Sequence, residues 1–158
     1  MSSVRSNLEL PEHVIEFQLN NNRCCVALPE IAEIVEPKEI TSVPSAPTHV
    51  SGVMDLRGRT TVIINPKLAI DVSETTSGKY AIIFDTATTG GKQIGWLVDC
   101  VHGVNKLSDP DIEPVDDSQH ITAILQGRQE QFTLWVNSTS INSEVSDTEF
   151  SQLERGEE

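Results

Sequence analysis

Two side chains that could form a nucleophile and a base lie close together in the chain. Cys100 and His102 are two residues apart, so on a β-strand both side chains project to the same side. A thiol beside an imidazole is the pairing that activates cysteine nucleophiles, but this spacing seldom aligns the two groups for proton transfer. The sequence therefore favours a core thiol beside a surface imidazole over a catalytic pair.

Metal and phosphate chemistry has no clear carrier in the sequence. The histidines and cysteines do not have the spacing of zinc ligands; they are His13, His49, His102 and His120, and Cys24, Cys25 and Cys100. An acidic stretch lacks the glycine and terminal glutamate of a calcium loop; its members are Asp109, Asp111, Glu113, Asp116 and Asp117. This stretch is either a solvated loop or a loose divalent-ion site. Gly90-Gly91 is not followed by the Lys-Ser or Lys-Thr of a phosphate loop. We therefore predict no catalytic residue, no metal and no cofactor.

The charge of the chain restricts its partners. Its 158 residues carry 24 acidic against 11 basic side chains, a formal net charge of -13. This balance argues against nucleic acid and against an anionic membrane surface, since both need clustered Lys and Arg. The acidic surface fits ordinary solvation or adaptation to high salt.

No apolar run approaches the ~20 residues of a membrane span, and Val4–Leu10 is too short and polar for a signal peptide. We expect a cytoplasmic protein with three reduced core cysteines.

Short apolar runs separated by turn residues predict a mainly β fold, either barrels or a sandwich. Hairpins are expected over Val14–Leu28, Val50–Asn65, Tyr80–Val98 and Ile121–Val136. Pro66–Ile70 predicts one helical turn with proline at its first position. Ser143–Leu153 has weak helical character, in which Val145, Phe150 and Leu153 could share a face. Residues 1–11 and 154–158 are expected to be flexible tails, and the polar break at 73–78 is the expected boundary between two halves.

A faint repeat connects the two halves. Leu28, Ile31 and Ile34 have the same spacing as Val98, Val101 and Val104, at a constant offset of 70 residues, and each triplet follows a predicted hairpin. Aliphatic triplets also recur by chance, so the match is suggestive only. If the repeat is real, equivalent edges of two small units face each other and form an apolar groove.

The most informative stretch is His49–Asn65, HVSGVMDLRGRTTVIIN. Two apolar strands around the turn Arg57-Gly58 would produce this pattern. GVMDLRG followed by an apolar strand and Asn65-Pro66 resembles the signature of the CheW family, the scaffold proteins of chemotaxis arrays. Asp55 stands where the family usually has Asn, and Thr61 where it usually has Pro. The PEIAEI, GWLVDCVHGV and FTLWVN segments extend the resemblance across a single domain spanning residues 14–141.

The resemblance implies a fold and a function. CheW-like proteins have two five-stranded SH3-like β-barrels side by side with a shared hydrophobic middle, and this chain would add a short C-terminal helix. The expected function is a non-enzymatic adaptor that binds chemoreceptor tips and the histidine kinase CheA at arrays beneath the membrane. The receptor-binding residues that the resemblance and the repeat indicate are Leu28, Ile31, Glu33, Arg57, Val98 and Val101. Glu33 would pair with Arg57 near the groove.

The sequence leaves several alternatives open. Arg57 alone could be an exposed turn arginine that contributes little to stability, and Leu28 and Val98 could be plain core residues. The kinase-facing residues cannot be picked out. A CheW-like binding module of another sensory or motility pathway is the first rival, and an enzyme with a Cys-His site is the second. An oligonucleotide-binding barrel is disfavoured by the charge and by the lack of a stacking aromatic surface.

Overall fold

The computed structural model describes residues 11–44, 46–70, 78–107, 111–116, 118–126, 132–145, 150, 151 and 153. Within these residues the chain forms eleven strands: β1 His13–Leu19, β2 Asn22–Ala27, β3 Ile31–Val35, β4 Val50–Leu56, β5 Arg59–Ile64, β6 Tyr80–Phe84, β7 Ile94–Val98, β8 Cys100–Lys106, β9 Asp111–Pro114, β10 Ile121–Gln126 and β11 Phe132–Val136. A 3-10 turn spans Leu28–Glu30, and two short helices follow strands, α1 at Pro66–Ala69 and α2 at Ser138–Asn142. The expected tails, apart from Pro11, and the break at 73–78, apart from Gly78, lie outside the described residues.

The strands form two sheets, which confirms the mainly β fold. One sheet has the order β3-β6-β7-β5-β4, and the other has the order β8-β1-β2-β11-β10-β9. The first five positions of the two orders correspond one for one, and β9 adds a sixth strand to the second sheet. No helix in the described part of the chain is long and apolar enough to cross a membrane.

The two sheets exchange a strand. The hairpin β1–β2 belongs to the six-stranded sheet, but the next strand, β3, pairs with β6 in the five-stranded sheet. The hairpin β6–β7 belongs to the five-stranded sheet, but β8 returns to pair with β1. The division into sheets therefore does not fall at residues 73–78, because each sheet contains strands from both sides of that break.

The exchanged strands have matching registers. Ile31 of β3 lies opposite Phe84, and Val101 of β8 lies opposite Phe17. In both pairings the register shifts by one residue at the next position, so Ala32 and His102 are equivalent bulge residues. The faint aliphatic repeat thus has a structural counterpart, since both triplets enter an exchanged strand.

The aromatic core joins the two sheets. Trp96 of β7 is fully buried and contacts Phe84 with ring centroids 4.8 Å apart and Phe17 with centroids 6.1 Å apart. Its Nε1–H donates a 2.8 Å hydrogen bond to Asn142 Oδ1 at the end of α2. Because one indole contacts residues of both sheets, the interior is continuous across the seam, as the resemblance implied.

The C-terminal segment completes this core. Val145, Phe150 and Leu153 are all buried and pack in the main cluster with Trp96, although Val145 lies in a bend and not in a helix. Within the predicted segment 143–153, residues 150, 151 and 153 are helical. A separate helix that the sequence did not indicate, α2, begins at Ser138, where the Asn137 side chain accepts a 3.1 Å hydrogen bond from Ser140 N. A polar cap, rather than apolar spacing, begins this helix.

Two other sequence predictions were wrong in detail. The stretch expected to be an acidic loop contains strand β9, because Ile112 lies opposite Leu125 of β10 and is buried. Cys24 and Cys25 are fully buried on opposite faces of β2, as predicted, but Cys100 is only partly buried. Cys100 lies on β8, an edge strand, so one side of its neighbourhood is open.

Candidate functional site

The β4–β5 turn positions an arginine in an unusual backbone conformation. Leu56 pairs with Arg59, which leaves Arg57 and Gly58 as a two-residue hairpin loop. Both have positive φ, 51° and 84° respectively, as the hairpin turns favoured by strand twist require. Asn or Gly normally occupies the first of these positions, because a Cβ is crowded in left-handed backbone. Arg57 adopts it with its side chain 68% exposed.

Glu33 of β3 forms an ion pair with this arginine. Glu33 Oε2 accepts a hydrogen bond from the Arg57 guanidinium, which confirms the predicted pair. The hydrogen bond and the charge of Glu33 raise the pKa of Arg57. Glu33 follows the bulge at Ala32, where the register against β6 shifts. The bulge therefore sets the position from which Glu33 reaches across to the β4–β5 turn.

The pair borders an open depression of about 350 Å³ on the five-stranded sheet. The depression is lined by Ala32, Glu33, Leu56, Arg57, Arg59, Ile83, Phe84, Asp85, Thr86 and Gln93. Its lining carries two arginines, Arg57 and Arg59, and two carboxylates, Glu33 and Asp85, so their formal charges balance. The depression therefore combines groups of both signs with the apolar side chains of Leu56, Ile83 and Phe84.

The other candidate residues lie at the seam between the sheets. Ile31 and Val101 are half-buried and pack against the main core cluster from the two exchanged strands. Val98 is fully buried within that cluster, and Leu28, at the start of the 3-10 turn, is half-buried. None of these four is among the residues that line the depression. The structure thus brings Glu33 and Arg57 together, and places the aliphatic candidates at the junction of the two sheets.

Two polar junctions near the seam were missed by sequence reasoning. Lys67 of α1 has a side chain only 2% exposed, and its Nζ lies 2.7 Å from Asp99 Oδ1. Asp99 Oδ2 accepts a 2.6 Å hydrogen bond from the backbone N–H of Asn20, in the β1–β2 turn of the other sheet. In the corresponding place, the Ser138 hydroxyl at the start of α2 donates to Glu30. The Lys67–Asp99 pair joins α1 to the connection between β7 and β8, and the Ser138–Glu30 bond joins α2 to the connection between β2 and β3.

The Cys100–His102 pair is not arranged for catalysis. Gln18 Nε2 donates to the carbonyl of Asn20, which turns Gln18 Oε1 towards His102 Nε2 at 2.7 Å. That nitrogen must then carry a proton and donate it to Gln18, so it cannot accept one from Cys100 Sγ, 4.0 Å away. Burial and the charge of Arg23 lower the pKa of His102, opposed by Glu16.

Cys24 and Cys25 are inert thiols. Burial raises the pKa of Cys24 to about 12, and burial together with nearby acidic groups raises the pKa of Cys25 further, so both stay as thiols. Among the described residues, no group of three or more His, Cys, Asp or Glu side chains is arranged to hold a metal ion.

Comparison with known proteins identifies the family. A family model for the CheW-like domain matches residues 13–145. The chain is 31% identical over 106 residues to the "Chemotaxis protein CheW" of Rhizobium meliloti, covering 66% of each chain. It is 28% identical over 100 residues to the "Chemotaxis protein CheW" of Thermotoga maritima, covering 63% of this chain and 65% of the relative. The matches thus span just under two thirds of these relatives' own lengths.

A solved structure has the same fold. The scaffolding protein TtCheW from Thermoanaerobacter tengcongensis aligns with a TM-score of 0.69 at 21% identity, over 81% of this chain and 90% of that one. The class of fold is a two-sheet β protein whose sheets exchange a strand and meet at an apolar seam. The chain belongs to the CheW-like domain family.

Proposed function

We propose that this chain is a non-enzymatic adaptor that couples chemoreceptors to the histidine kinase CheA. It would work in the cytoplasm, at receptor arrays beneath the membrane. The family match and the names of the relatives support a role in chemotaxis. One surface would bind the helical-hairpin tip of a chemoreceptor, and another would bind the related domain of the kinase. Since one chain holds both partners, a change in receptor state reaches the kinase through the geometry of the interfaces.

The observation that carries the receptor surface is Arg57. Its left-handed backbone disfavours most residues other than Gly and Asn, and its exposed ion pair adds little to stability. Arg57 strains its own turn and contributes little to the stability of the fold. The best reason for an arginine at this position is contact with a binding partner. We therefore place Glu33 and Arg57 at the centre of the receptor contact.

The apolar part of this contact would come from the seam. Ile31 and Val101 are half-buried there, Leu28 is half-buried beside it, and Val98 supports it from the core. An apolar helix end that covers such a strip gains roughly 25 cal/mol per Å² of buried apolar area. Micromolar binding needs about -8 kcal/mol, and many such weak contacts in an array reinforce one another.

The kinase would contact a different surface. Phe132 at the start of β11 is 59% exposed and lies on the six-stranded sheet, whereas the Glu33–Arg57 pair lies on the five-stranded one. A large exposed aromatic side chain is a typical anchor of a protein interface. We place Phe132 in the kinase contact.

The test is a binding titration with two partners from the same organism, a chemoreceptor cytoplasmic fragment and the C-terminal domain of CheA. Arg57→Glu should weaken receptor binding at least tenfold, while its Tm stays within about 2 °C of the wild type. The effect should shrink in molar salt, where charges are screened beyond ~3 Å. Phe132→Ser is the reciprocal variant and should weaken only kinase binding.

The control for charge reversal is Arg23→Glu. Arg23 and Glu16 form a 2.6 Å ion pair within the six-stranded sheet. Reversing the charge of Arg23 should therefore leave receptor binding unchanged. The proposal fails if the wild type binds neither partner at micromolar concentration, which would favour another sensory or motility pathway. It also fails if Arg57→Glu loses receptor binding only in step with a collapse of its thermal melt.

A further inference from the structure

The outer edge of β4 carries an incomplete version of the strand that β9 forms in the other sheet. The hairpins β4–β5 and β10–β11 both shift register after their first pair, so Val53 of β4 is the equivalent of Ile124 of β10. Ile124 lies opposite Glu113 of β9, in a ladder of four consecutive pairs. Val53 lies opposite Thr41, in an isolated bridge. The segment that leads into Thr41 therefore occupies the place of β9 but is paired with its sheet at a single rung.

This segment and β9 also share a sequence pattern. Residues 39–41 are Glu-Ile-Thr, and residues 111–113 of β9 are Asp-Ile-Glu. Ile112 is buried in a cluster of the six-stranded sheet, and Ile40 is half-buried against a cluster of the five-stranded sheet. The central isoleucine thus packs against the sheet in both places. The two segments differ in how far their backbones are paired.

The next rung of the incomplete ladder would join Glu39 to Asp55. Thr41 N donates to Val53 O at 2.8 Å, and Val53 N donates to Thr41 O at 2.9 Å. Because alternate residues of an antiparallel strand turn their backbone groups to the same edge, the N–H and C=O of Asp55 face outwards as those of Val53 do. Within the described residues, no backbone group is hydrogen-bonded to Asp55 on this side. Glu39 and Asp55 instead line an open depression of about 400 Å³.

Charge explains why this rung stays open. Residues directly opposite each other in antiparallel strands have Cβ atoms about 4.5–5.5 Å apart, and like charges in such a pair are destabilising. Closing the rung would bring the Glu39 and Asp55 carboxylates into this arrangement. In the other sheet the equivalent rung is closed, and there Asp111 lies opposite the uncharged Gln126. Lys38 alternates with Glu39, so in a closed ladder its side chain would lie on the other face and would not offset the repulsion.

We propose that residues 38–41 are a salt-operated sixth strand of the five-stranded sheet. At low ionic strength, repulsion between Glu39 and Asp55 holds the last rung open. The Debye length falls from about 10 Å at 0.1 M salt to about 3 Å at 1 M, so molar salt screens the repulsion and the rung closes. The N–H of Glu39 then donates to the carbonyl of Asp55, and the N–H of Asp55 donates to the carbonyl of Glu39. The closed rung pairs β4 on both edges as far as Asp55, two residues before Arg57, and so steadies the base of the β4–β5 turn.

The test measures amide hydrogen exchange at Glu39 and Asp55 at one pH, in about 0.1 M and about 1 M sodium chloride, corrected for the intrinsic exchange rates. In the wild type, the protection of both N–H groups should rise about threefold in the higher salt. Asp55→Asn removes one of the two charges and should show the higher protection in both salts. Glu39→Lys places opposite charges across the rung, so its protection should be high in low salt and fall in high salt, which reverses the wild-type response.

The matched control is Glu36→Gln, which removes the same charge at an exposed position outside the rung. It should keep the wild-type response to salt. The reciprocal variant is Gln126→Glu, which places a second acidic residue opposite Asp111 and should lower the protection of the N–H of residue 126 in low salt.

Three results would overturn the salt-operated strand. These are a wild type whose Glu39 and Asp55 N–H groups do not respond to salt, a Glu39→Lys variant that responds in the same direction as the wild type, and a Glu36→Gln variant that loses the response. None of these measurements requires a receptor or a kinase, so their outcome is separate from that of the proposed adaptor function.

Discussion

Two hairpin turns of this protein each lie beside an ion pair between a basic side chain and a carboxylate. One of these pairs is buried, and the other is exposed. In the β1–β2 turn, Asn20 has a φ of 56°, and its N–H is held by Asp99, which pairs with the buried Lys67. In the β4–β5 turn, Arg57 has a φ of 51° and pairs through its own side chain with Glu33 at the surface. Left-handed backbone is less strained for Asn than for Arg. The first turn uses the residue that its backbone favours, whereas the second does not.

The difference indicates which pair the fold needs. A buried lysine without its partner would leave an uncompensated charge in the interior, so Lys67 and Asp99 depend on each other. The charges of an exposed pair are screened by water, so separating them costs little free energy. Glu33 and Arg57 are therefore free to change partners, while Lys67 and Asp99 fix the distance between α1 and the β1–β2 turn.

The largest expected effect comes from breaking the interior pair. Lys67→Met keeps most of the side-chain volume but leaves Asp99 without its ammonium group. We expect a loss of about 3 kcal/mol in the free energy of unfolding, measured by denaturant titration. The double variant with Asp99→Asn should recover part of this loss, because the amide oxygen can still accept from Asn20 N without an unpaired charge. A loss below about 1 kcal/mol for Lys67→Met would mean that the interior pair is as dispensable as the exposed one.

The opposite sign is expected at the surface pair. Arg57→Gly removes the ion pair but also removes the Cβ from a left-handed position, where glycine is unstrained. The Tm should stay within about 2 °C of the wild type or rise, whereas receptor binding should fall as in Arg57→Glu. A Tm that drops as far as in Lys67→Met would erase the contrast between the two turns.

The local elements of this fold could be predicted from sequence, whereas their exchange between sheets could not. The hairpins over Tyr80–Val98 and Ile121–Val136 were predicted with the observed outer bounds, since apolar and β-branched runs between turn residues are local signals. Asp111–Pro114 reads as a polar loop and becomes a strand only because β10 lies beside it. Its conformation is set by a neighbour that is remote in sequence, as β-structure often is.

The candidate site divides in the same way. The Glu33–Arg57 pair was predicted through a family resemblance, since 24 residues separate its members and no local pattern connects them. The burial of Lys67 depends on Asp99, 32 residues away, across a strand exchange that hydrophobic periodicity does not encode. Lysine is almost never fully buried without a partner, and no local pattern in the sequence identifies that partner.

The smallest expected effect concerns Glu30, which occupies the junction equivalent to that of Asp99. Burial raises the pKa of Glu30, partly offset by the hydrogen bond from Ser138. A raised pKa in the folded state means that the protonated form contributes stability at low pH, which is lost as the pH rises through that value. The ionised carboxylate is thus slightly unfavourable at neutral pH, unlike Asp99, whose charge has a lysine partner. Glu30→Gln keeps an acceptor for Ser138 and should raise the Tm at pH 7 by about 1–3 °C.

The pH profile of this difference decides whether burial is its cause. The gain from Glu30→Gln should shrink towards pH 4 in thermal melts, because the wild-type carboxyl is then protonated and equally neutral. Glu36→Gln makes the same charge change at an exposed position just after β3 and should shift the Tm by less than about 1 °C throughout. An equal gain in both variants would trace the effect to the net charge of -13. In that case the two junctions would differ only in geometry, and the missing cation at Glu30 would have no energetic consequence.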